Sequence, residues 1–181
     1  SSPSGGGKTS LINKLFEDSR YANFEKSISD TSRQKRQGDL EGKDYYFLSE
    51  KDFKDKIKKE EYVEYATVFG NFYGTSKEEI KTKYNNSNLI LELDWQGAYA
   101  VKELFDDAKL IFLVPPSLDD LKQRLIKRNL DSSKEIESRL SEAKKEISKS
   151  EMYDYLVLND DFDKAYEAVS YTHLTLPTTE A

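Results

Sequence analysis

The chain has 181 residues, with 34 acidic and 28 basic side chains, no cysteine and one histidine, His173, near its C-terminus. The lack of cysteine excludes disulfides, a thiol nucleophile and zinc–thiolate sites, and chemistry that needs a histidine base is disfavoured. A net charge of −6 disfavours broad binding to nucleic acid backbones. No apolar run approaches the ~18 residues of a membrane span and no signal-peptide pattern opens the chain, so we expect a cytoplasmic protein without a membrane partner.

Alternation of periodic and apolar segments predicts the elements of the fold. Helical spacing starts right after a glycine loop, with Leu11, Ile12, Leu15 and Phe16. We predict helices over about 8–19, around 53–57, from 76, over 95–105, from 118, from 136 and from about 160; strands at 62–69, 89–93, 110–114 and 155–158; short extended pieces near 27–29 and 45–48; and a turn at 70–74. Ser76 and Glu79 match a capping box.

Buried strands that alternate with helices indicate an α/β fold with a parallel sheet. Residues 29–75 break this rhythm and are predicted to form an inserted, mostly β subdomain. The chain starts directly in the glycine loop, so the first core strand is expected to be missing from this fragment. Residues 170–181 are threonine-rich and lack lysine. We expect this tail to be non-native or disordered, with a natural tail as the alternative.

The glycine loop nearly matches the G-x-x-x-x-G-K-[ST] phosphate loop. Its candidate ATP-binding residues are Ser4, Gly5, Gly6, Gly7, Lys8 and Thr9. Glycines let backbone N–H groups turn toward phosphate oxygens, and the positive end of the following helix attracts the same anion. Ser2 replaces the first glycine of the pattern. A Gly/Ser linker that ends in lysine by chance is the alternative.

Residues 29–47 resemble the GMP-binding signature of guanylate kinases. The chain reads SDTSRQKRQGDLEGKDYYF, and the signature is S-x-T-T-R-x-P-R-x-G-E-x-x-G-x-D-Y-x-F. Further segments match in family order, at 64–66, 70–76, 92–97, 115–117 and 159–161. The departures are Ser2, Ser32 for Thr, Lys35 for Pro and Asp39 for Glu. This resemblance implies a guanylate kinase-like domain over 1–169, with a core at 1–28 and 76–169, a GMP-binding insert at about 29–75 and a helical lid at about 124–142. It also implies ATP and GMP as substrates and Mg²⁺ as cofactor.

On this resemblance, the expected GMP-binding residues are Ser29, Arg33, Arg36, Tyr45, Glu64, Tyr73, Thr75 and Asp94. A carboxylate at Glu64 could accept both N1–H and N2–H of guanine, and adenine has no N1–H to offer. Arginines fork onto phosphate, and tyrosine hydroxyls donate to it. The alternative for Glu64 is a solvated strand residue, and the alternative for Tyr45 and Tyr73 is ordinary strand aromatics. Glu92 is a weaker candidate than Asp94 for a contact with Mg²⁺ or GMP.

The expected catalytic residues are Lys8, Arg124, Arg128 and Arg139. Lys8 would reach the β- and γ-phosphates, and the arginines would neutralise charge on the transferring group. Surface salt bridges are the alternative for the arginines. Asn159 and Asp160 match the segment that borders adenine. Thr9 and Asp94 are the expected metal ligands, directly or through water.

A phosphate acceptor is already deprotonated at neutral pH, so this reaction needs no general base. Two other functions stay open on the sequence. One is a non-catalytic guanylate-kinase-like module that binds phosphorylated peptides, although such modules typically lack the loop lysine. The other is a kinase of a different small phosphorylated acceptor.

Overall fold

The computed structural model describes residues 1–84, 87–128 and 131–171. In these residues the chain forms seven α-helices and eight β-strands. The helices are α1 Lys8–Glu17, α2 Glu50–Lys58, α3 Lys77–Tyr84, α4 Trp95–Leu104, α5 Leu118–Arg128, α6 Ser133–Ser148 and α7 Phe162–Tyr171. The strands are β1 Phe24–Lys26, β2 Asp30–Thr31, β3 Tyr46–Phe47, β4 Tyr62–Val68, β5 Asn71–Ser76, β6 Asn88–Ile90, β7 Ile111–Val114 and β8 Tyr155–Leu158. The predicted α/β class is confirmed. None of these helices combines the length and the apolar character that crossing a bilayer requires.

The chain divides into two compact units, one made of Ser1–Ala22 with the residues from Asp107 onward, and one of Asn23–Asp106. In the first unit β7 and β8 pair in parallel. Ser1 continues this ladder on the other side of β7, because its N–H donates to Ile111 and its carbonyl accepts from Leu113 at 2.7 and 2.8 Å. The glycine loop therefore follows directly from a residue in β-sheet register.

Helices α5 and α6 share a small apolar core in the first unit. Leu121 and Leu125 are fully buried, and Ile136 and Ala143 pack with them from α6. The spacing of these side chains places one apolar face on each helix, as the sequence predicted. Asn129 and Leu130, which fall within the predicted lid at about 124–142, lie outside the described residues.

The second unit contains a four-stranded sheet in the order β3-β2-β5-β4 and a separate parallel pair of β1 with β6. Strands β4 and β5 form an antiparallel hairpin. Phe53 of α2 is fully buried and stacks on Tyr62 and Phe72, with ring centroids 4.6 and 5.3 Å away. This aromatic stack fixes α2 to the sheet.

Three sequence predictions differ from the structure in detail. The turn predicted at 70–74 is confined to Phe69 and Gly70, whose φ values of 48° and 76° give a two-residue hairpin turn, so β5 already begins at Asn71. The strand predicted at 89–93 is shorter and only half-buried, as β6. The tail predicted over 170–181 overlaps the end of α7, because Ser170, which is buried, and the exposed Tyr171 belong to this helix. Residues 172–181, with His173, lie outside the described residues.

The predicted capping box at the start of α3 is half formed. The Glu79 N–H donates to the Ser76 hydroxyl at 3.1 Å, but the Glu79 carboxylate accepts instead from the backbone N–H of Ile28 at 2.7 Å. Lys83, one turn along α3, pairs with the same carboxylate oxygen at 2.6 Å. The buried N–H of Ile28 has no water to bind, so it needs the carboxylate as an acceptor. The carboxylate therefore binds Ile28 and does not complete the capping box at Ser76.

Candidate active site

The glycine loop lies at the N-terminus of α1. Gly6 closes the loop by donating its N–H to the carbonyl of Pro3 at 2.8 Å, and the Lys8 ammonium donates to the carbonyl of Ser2 at 2.7 Å. Gly7 is the N-cap of α1, with φ of 101°. The amide groups of the first helical turn and the Lys8 ammonium thus stand at one end of α1, which is the arrangement that binds phosphate groups.

Asn159, directly after β8, supports this loop through a hydrogen bond. Its backbone N–H extends the β7 ladder by donating to Val114 at 2.8 Å, and its side-chain amide donates to the carbonyl of Gly6 at 2.7 Å. A Cβ on Gly7 would lie 2.5 Å from the Asn159 amide nitrogen, so only glycine fits there. The sequence predicts that Asn159 borders adenine, and this stays a prediction; its buried side chain donates to the phosphate loop.

Two of the three predicted arginines lie against this region. Arg139 donates to the Ser4 hydroxyl at 2.8 Å and pairs with Asp131 at 2.9 Å. Arg124 donates to the carbonyl of Asn159 at 2.7 Å. Arg128 lies one turn beyond Arg124, exposed at the last residue of α5. Arg124 and Arg139 are therefore already gathered around the loop and its support.

The other predicted residues of the donor side lie at the surface. Thr9, in the first turn of α1, is exposed. Asp160 is exposed as well, and its carboxylate accepts the N–H of Asp161 at 2.7 Å. Both side chains are exposed to solvent.

In the second unit, Asp39 organises the two arginines predicted to bind the GMP phosphate. One oxygen of its carboxylate accepts from the Arg33 guanidinium and from the backbone N–H of Arg36, each at 2.8 Å. Burial opposes ionisation of Asp39, but these donors and the positive charges outweigh it and lower its pKa. Sequence reasoning missed this role. Its signal is an acid three residues after Arg36, the spacing of a side chain that accepts from its own loop.

The rings of Tyr45 and Phe47 lie against Arg33. The Arg33 guanidinium lies 5.4 Å from the ring centre of Tyr45, and Tyr45 packs edge-on against Tyr73 with centroids 5.7 Å apart. Burial, with the charge of Glu92 adding to it, raises the pKa of Tyr45 well above its usual value. Tyr45 therefore keeps its proton at neutral pH and is a hydrogen-bond donor.

Glu64 is a buried carboxylate opposite Thr75 in the β4–β5 register. A bulge between Tyr62 and Glu64 shifts this register, and Glu64 is only 6% exposed. Within the described residues, its Oε1 atom has no hydrogen-bond partner. Burial, assisted by the charge of Asp94, raises the pKa of Glu64 to about 7 against the lowering effect of hydrogen bonds to Thr75. Thr75 also lies 3.4 Å from the hydroxyl of Ser29, so the predicted base-contacting groups are adjacent.

Asp94 and Glu92 have structural partners in the second unit. Asp94 is the N-cap of α4: one carboxylate oxygen accepts the N–H of Gly97 at 2.9 Å, and the other accepts from Gln96 at 3.2 Å. Glu92 pairs with Lys26 at 2.8 Å. A carboxylate thus caps the N-terminus of α4, and Glu64 lies close to Gly97 in the first turn of this helix.

Known proteins give a consistent match. The family model for guanylate kinase matches residues 1–173. The guanylate kinase of Wolbachia sp. subsp. Brugia malayi is 45% identical over 172 residues, covering 94% of this chain and 87% of the relative, and that of Hahella chejuensis is 48% identical over 168 residues, covering 92% and 80%. A crystal structure of guanylate kinase from Anaplasma phagocytophilum is similar at 35% identity with a TM-score of 0.73, covering 90% of this chain and 78% of that one. A family model that matches almost the whole chain and relatives that are 45 and 48% identical over most of it show that the chain belongs to the guanylate kinase family.

Proposed function

We propose that this chain transfers the γ-phosphoryl group of ATP to GMP, giving ADP and GDP, through the residues assigned below. The observation that carries the assignment is Glu64, a buried carboxylate with one oxygen that has no partner among the described residues. Such a group is costly to bury unless a ligand supplies donors to it. The N1–H and N2–H of guanine are two such donors on one edge.

The acceptor base is read by Glu64, with Ser29 and Thr75 beside it. Adenine has no N1–H, and cytosine and uracil do not offer the same pair of donors. A buried acceptor that is left unpaired penalises the wrong base strongly. This arrangement supports selectivity for GMP over the other nucleoside monophosphates.

The acceptor phosphate is held by Arg33, Arg36, Tyr45 and Tyr73. Asp39 fixes the Arg33 guanidinium and the backbone of Arg36, so both are oriented before the ligand arrives. The protonated Tyr45 hydroxyl donates to the same anion. Charge-assisted contacts of this kind are the strong ones in phosphate recognition.

The donor polyphosphate is held by the glycine loop, from Ser4 to Thr9, and by Lys8. Arg124 and Arg139, with Arg128 further along α5, neutralise the charge that develops on the transferring group. The acceptor phosphate oxygen is already deprotonated, so no side chain has to remove a proton. The role of these residues is to position and to stabilise charge, and Asn159 borders the ATP site by supporting the loop.

Mg²⁺ is the expected cofactor. The Thr9 hydroxyl and the Asp94 carboxylate offer hard oxygen atoms, the ligand type that Mg²⁺ prefers together with phosphate and water. When bound, the ion neutralises phosphate charge. We propose Thr9 as a ligand to the ion, with Asp94 acting directly or through water. A cytoplasmic location, and the absence of nucleic acid and membrane partners, stay predictions from the sequence.

A coupled nucleotide kinase assay with ATP and GMP, AMP, UMP or CMP tests the proposal. We expect turnover with GMP at least a hundredfold above the others, and loss of turnover in Lys8→Met. Binding of a phosphorylated peptide without any turnover would identify the non-catalytic module instead, and preference for another acceptor would move the assignment to a different small-molecule kinase.

A further inference from the structure

The first turn of α4 packs directly on the carboxylate of Glu64. A Cβ placed on Gly97 would lie 2.7 Å from the Oε2 atom of Glu64 and 3.2 Å from its Cδ atom. The next neighbour, the Cβ of Leu93, would be 3.3 Å away. Gly97 is buried, so its missing side chain leaves no open space. The nearest atoms to this glycine are thus those of the group proposed to read the base.

The lack of room for a side chain explains why position 97 is a glycine. Glycine in a helix is less favourable than alanine by roughly 1 kcal/mol, because it loses more backbone freedom. Its N–H is used by the Asp94 cap, which any residue could satisfy. The close approach to Glu64 is the feature that no other residue could reproduce.

We infer that Gly97 is a positioning residue that sets the place of the Glu64 carboxylate and thereby the selectivity for guanine. The inference rests on the proposed role of Glu64 in base recognition. Thr75 lies beside the carboxylate on β5 and Gly97 lies against it on α4, so the carboxylate is confined between a strand and a helix. The Oε1 atom of this carboxylate has no hydrogen-bond partner among the described residues.

The expected consequence is a loss of discrimination rather than a general loss of activity. A methyl group at position 97 must displace Oε2 by several tenths of an ångström to reach ordinary contact distance. Two parallel hydrogen bonds to N1–H and N2–H need both oxygens in register, whereas IMP offers only N1–H. The displaced carboxylate therefore loses more with GMP than with IMP.

The test compares kcat/KM for GMP and for IMP, and KM for ATP, in the full chain and in Gly97→Ala. We expect the GMP:IMP ratio to fall about tenfold or more, with KM for ATP unchanged. Gly70→Ala is the matched control. A Cβ at position 70 meets nothing within 4 Å, but the φ of 76° means that alanine strains the β4–β5 hairpin, which carries Glu64. It is expected to lower the melting temperature and keep the ratio. An unchanged ratio in Gly97→Ala would overturn the inference.

Two further variants separate this inference from the proposed function. Glu64→Gln tests the function alone: if the GMP:IMP ratio is kept in this variant, Glu64 does not read the base. If Glu64→Gln loses the ratio, Gly97→Ala added to it should lower the ratio little further, since both changes act on one group. Should Gly97→Ala fail to fold, Gly97→Ala/Glu64→Asp shortens the carboxylate side chain and is expected to fold; failure of both would assign the clash to Leu93 and refute the inference.

Discussion

The side-chain amide of Asn159 donates a 2.7 Å hydrogen bond to the carbonyl of Gly6, and the carbonyl of Asn159 accepts one of 2.7 Å from Arg124. One buried residue after β8 therefore holds both the phosphate loop and an arginine proposed to act on the transferring group. Because the Asn159 N–H also continues the β7 ladder, its position is set by the sheet itself.

Replacement of Asn159 should weaken ATP binding and spare GMP binding. In Asn159→Ala the Gly6 carbonyl loses its donor, and an unsatisfied buried polar group costs about 1–3 kcal/mol. We expect a roughly tenfold or greater increase in the dissociation constant for ATP and a lower melting temperature, and a larger effect in Asn159→Asp, where a carboxylate faces the carbonyl. Titration of each nucleotide separately measures this. Glu167→Gln, an exposed change on α7, serves as control; an equal loss of affinity for both nucleotides would argue against the assignment.

Arg36→Ala should weaken GMP binding and spare ATP binding. Loss of a charge-assisted contact to the GMP phosphate costs about 1.5–3 kcal/mol, so KM for GMP should rise ten- to a hundredfold while affinity for ATP is kept. Lys35→Ala is the matched control, because this neighbouring cation is exposed and pairs with exposed Glu41 at 2.9 Å. Steady-state kinetics with each substrate varied in turn decides the case, and comparable losses in the two variants would mean that the effect is one of overall charge.

Asp39→Asn tests whether the arginines are oriented in advance. The amide cannot provide the charge that holds the Arg33 guanidinium at 2.8 Å, so we expect KM for GMP to rise about tenfold with little change in kcat. Asp39→Glu keeps the charge and restores the residue of the family signature, so its KM should stay near that of the parent. If Asp39→Asn and Asp39→Glu have the same KM for GMP, the carboxylate of Asp39 does not act through its charge.

Local patterns predicted the elements of this fold well where one segment determines its own structure. Apolar spacing placed α1, α5 and α6, and β-branched and aromatic runs placed β4, β7 and β8. The misses occur where distant residues compete. Glu79 matches a capping box, yet it binds Ile28, which is 51 residues away in sequence. The hairpin turn at Phe69 was hidden because positive φ at an aromatic residue is rare and no spacing reveals it.

The candidate site shows the same division. The residue types for the loop, the arginines and the acceptor carboxylate could be read from spacing and family resemblance, since their chemistry is carried by the side chain itself. Asp39, Asn159 and Gly97 owe their roles to what they touch, and contact is a property of the folded chain. A glycine in particular carries no chemical signal; the role inferred for Gly97 emerges only from the 2.7 Å that would separate a Cβ at this position from the Oε2 atom of Glu64.

The raised pKa of Glu64 links GMP binding to pH. With a pKa of about 7, caused first by burial, the carboxyl is about 90% ionised at pH 8 and about 10% ionised at pH 6. Because the ionised form accepts from guanine, KM for GMP should rise about tenfold over this range. GMP also gains a phosphate proton near pH 6, so Glu64→Gln provides the reference: its KM is higher, and any pH dependence that remains belongs to the phosphate.

The same shift has a stability consequence with a defined sign. The folded-state pKa of about 7 lies above the unfolded value of 4.5, so the folded protein binds the proton more tightly and its stability falls as pH rises from about 4.5 to 7. The full loss is on the order of 3 kcal/mol. Glu64→Gln has no charge to bury, so urea unfolding should show it to be more stable than the parent at pH 8, with the difference shrinking toward pH 5. A difference that is the same at both pH values would show that Glu64 titrates normally and that its burial is compensated within the protein.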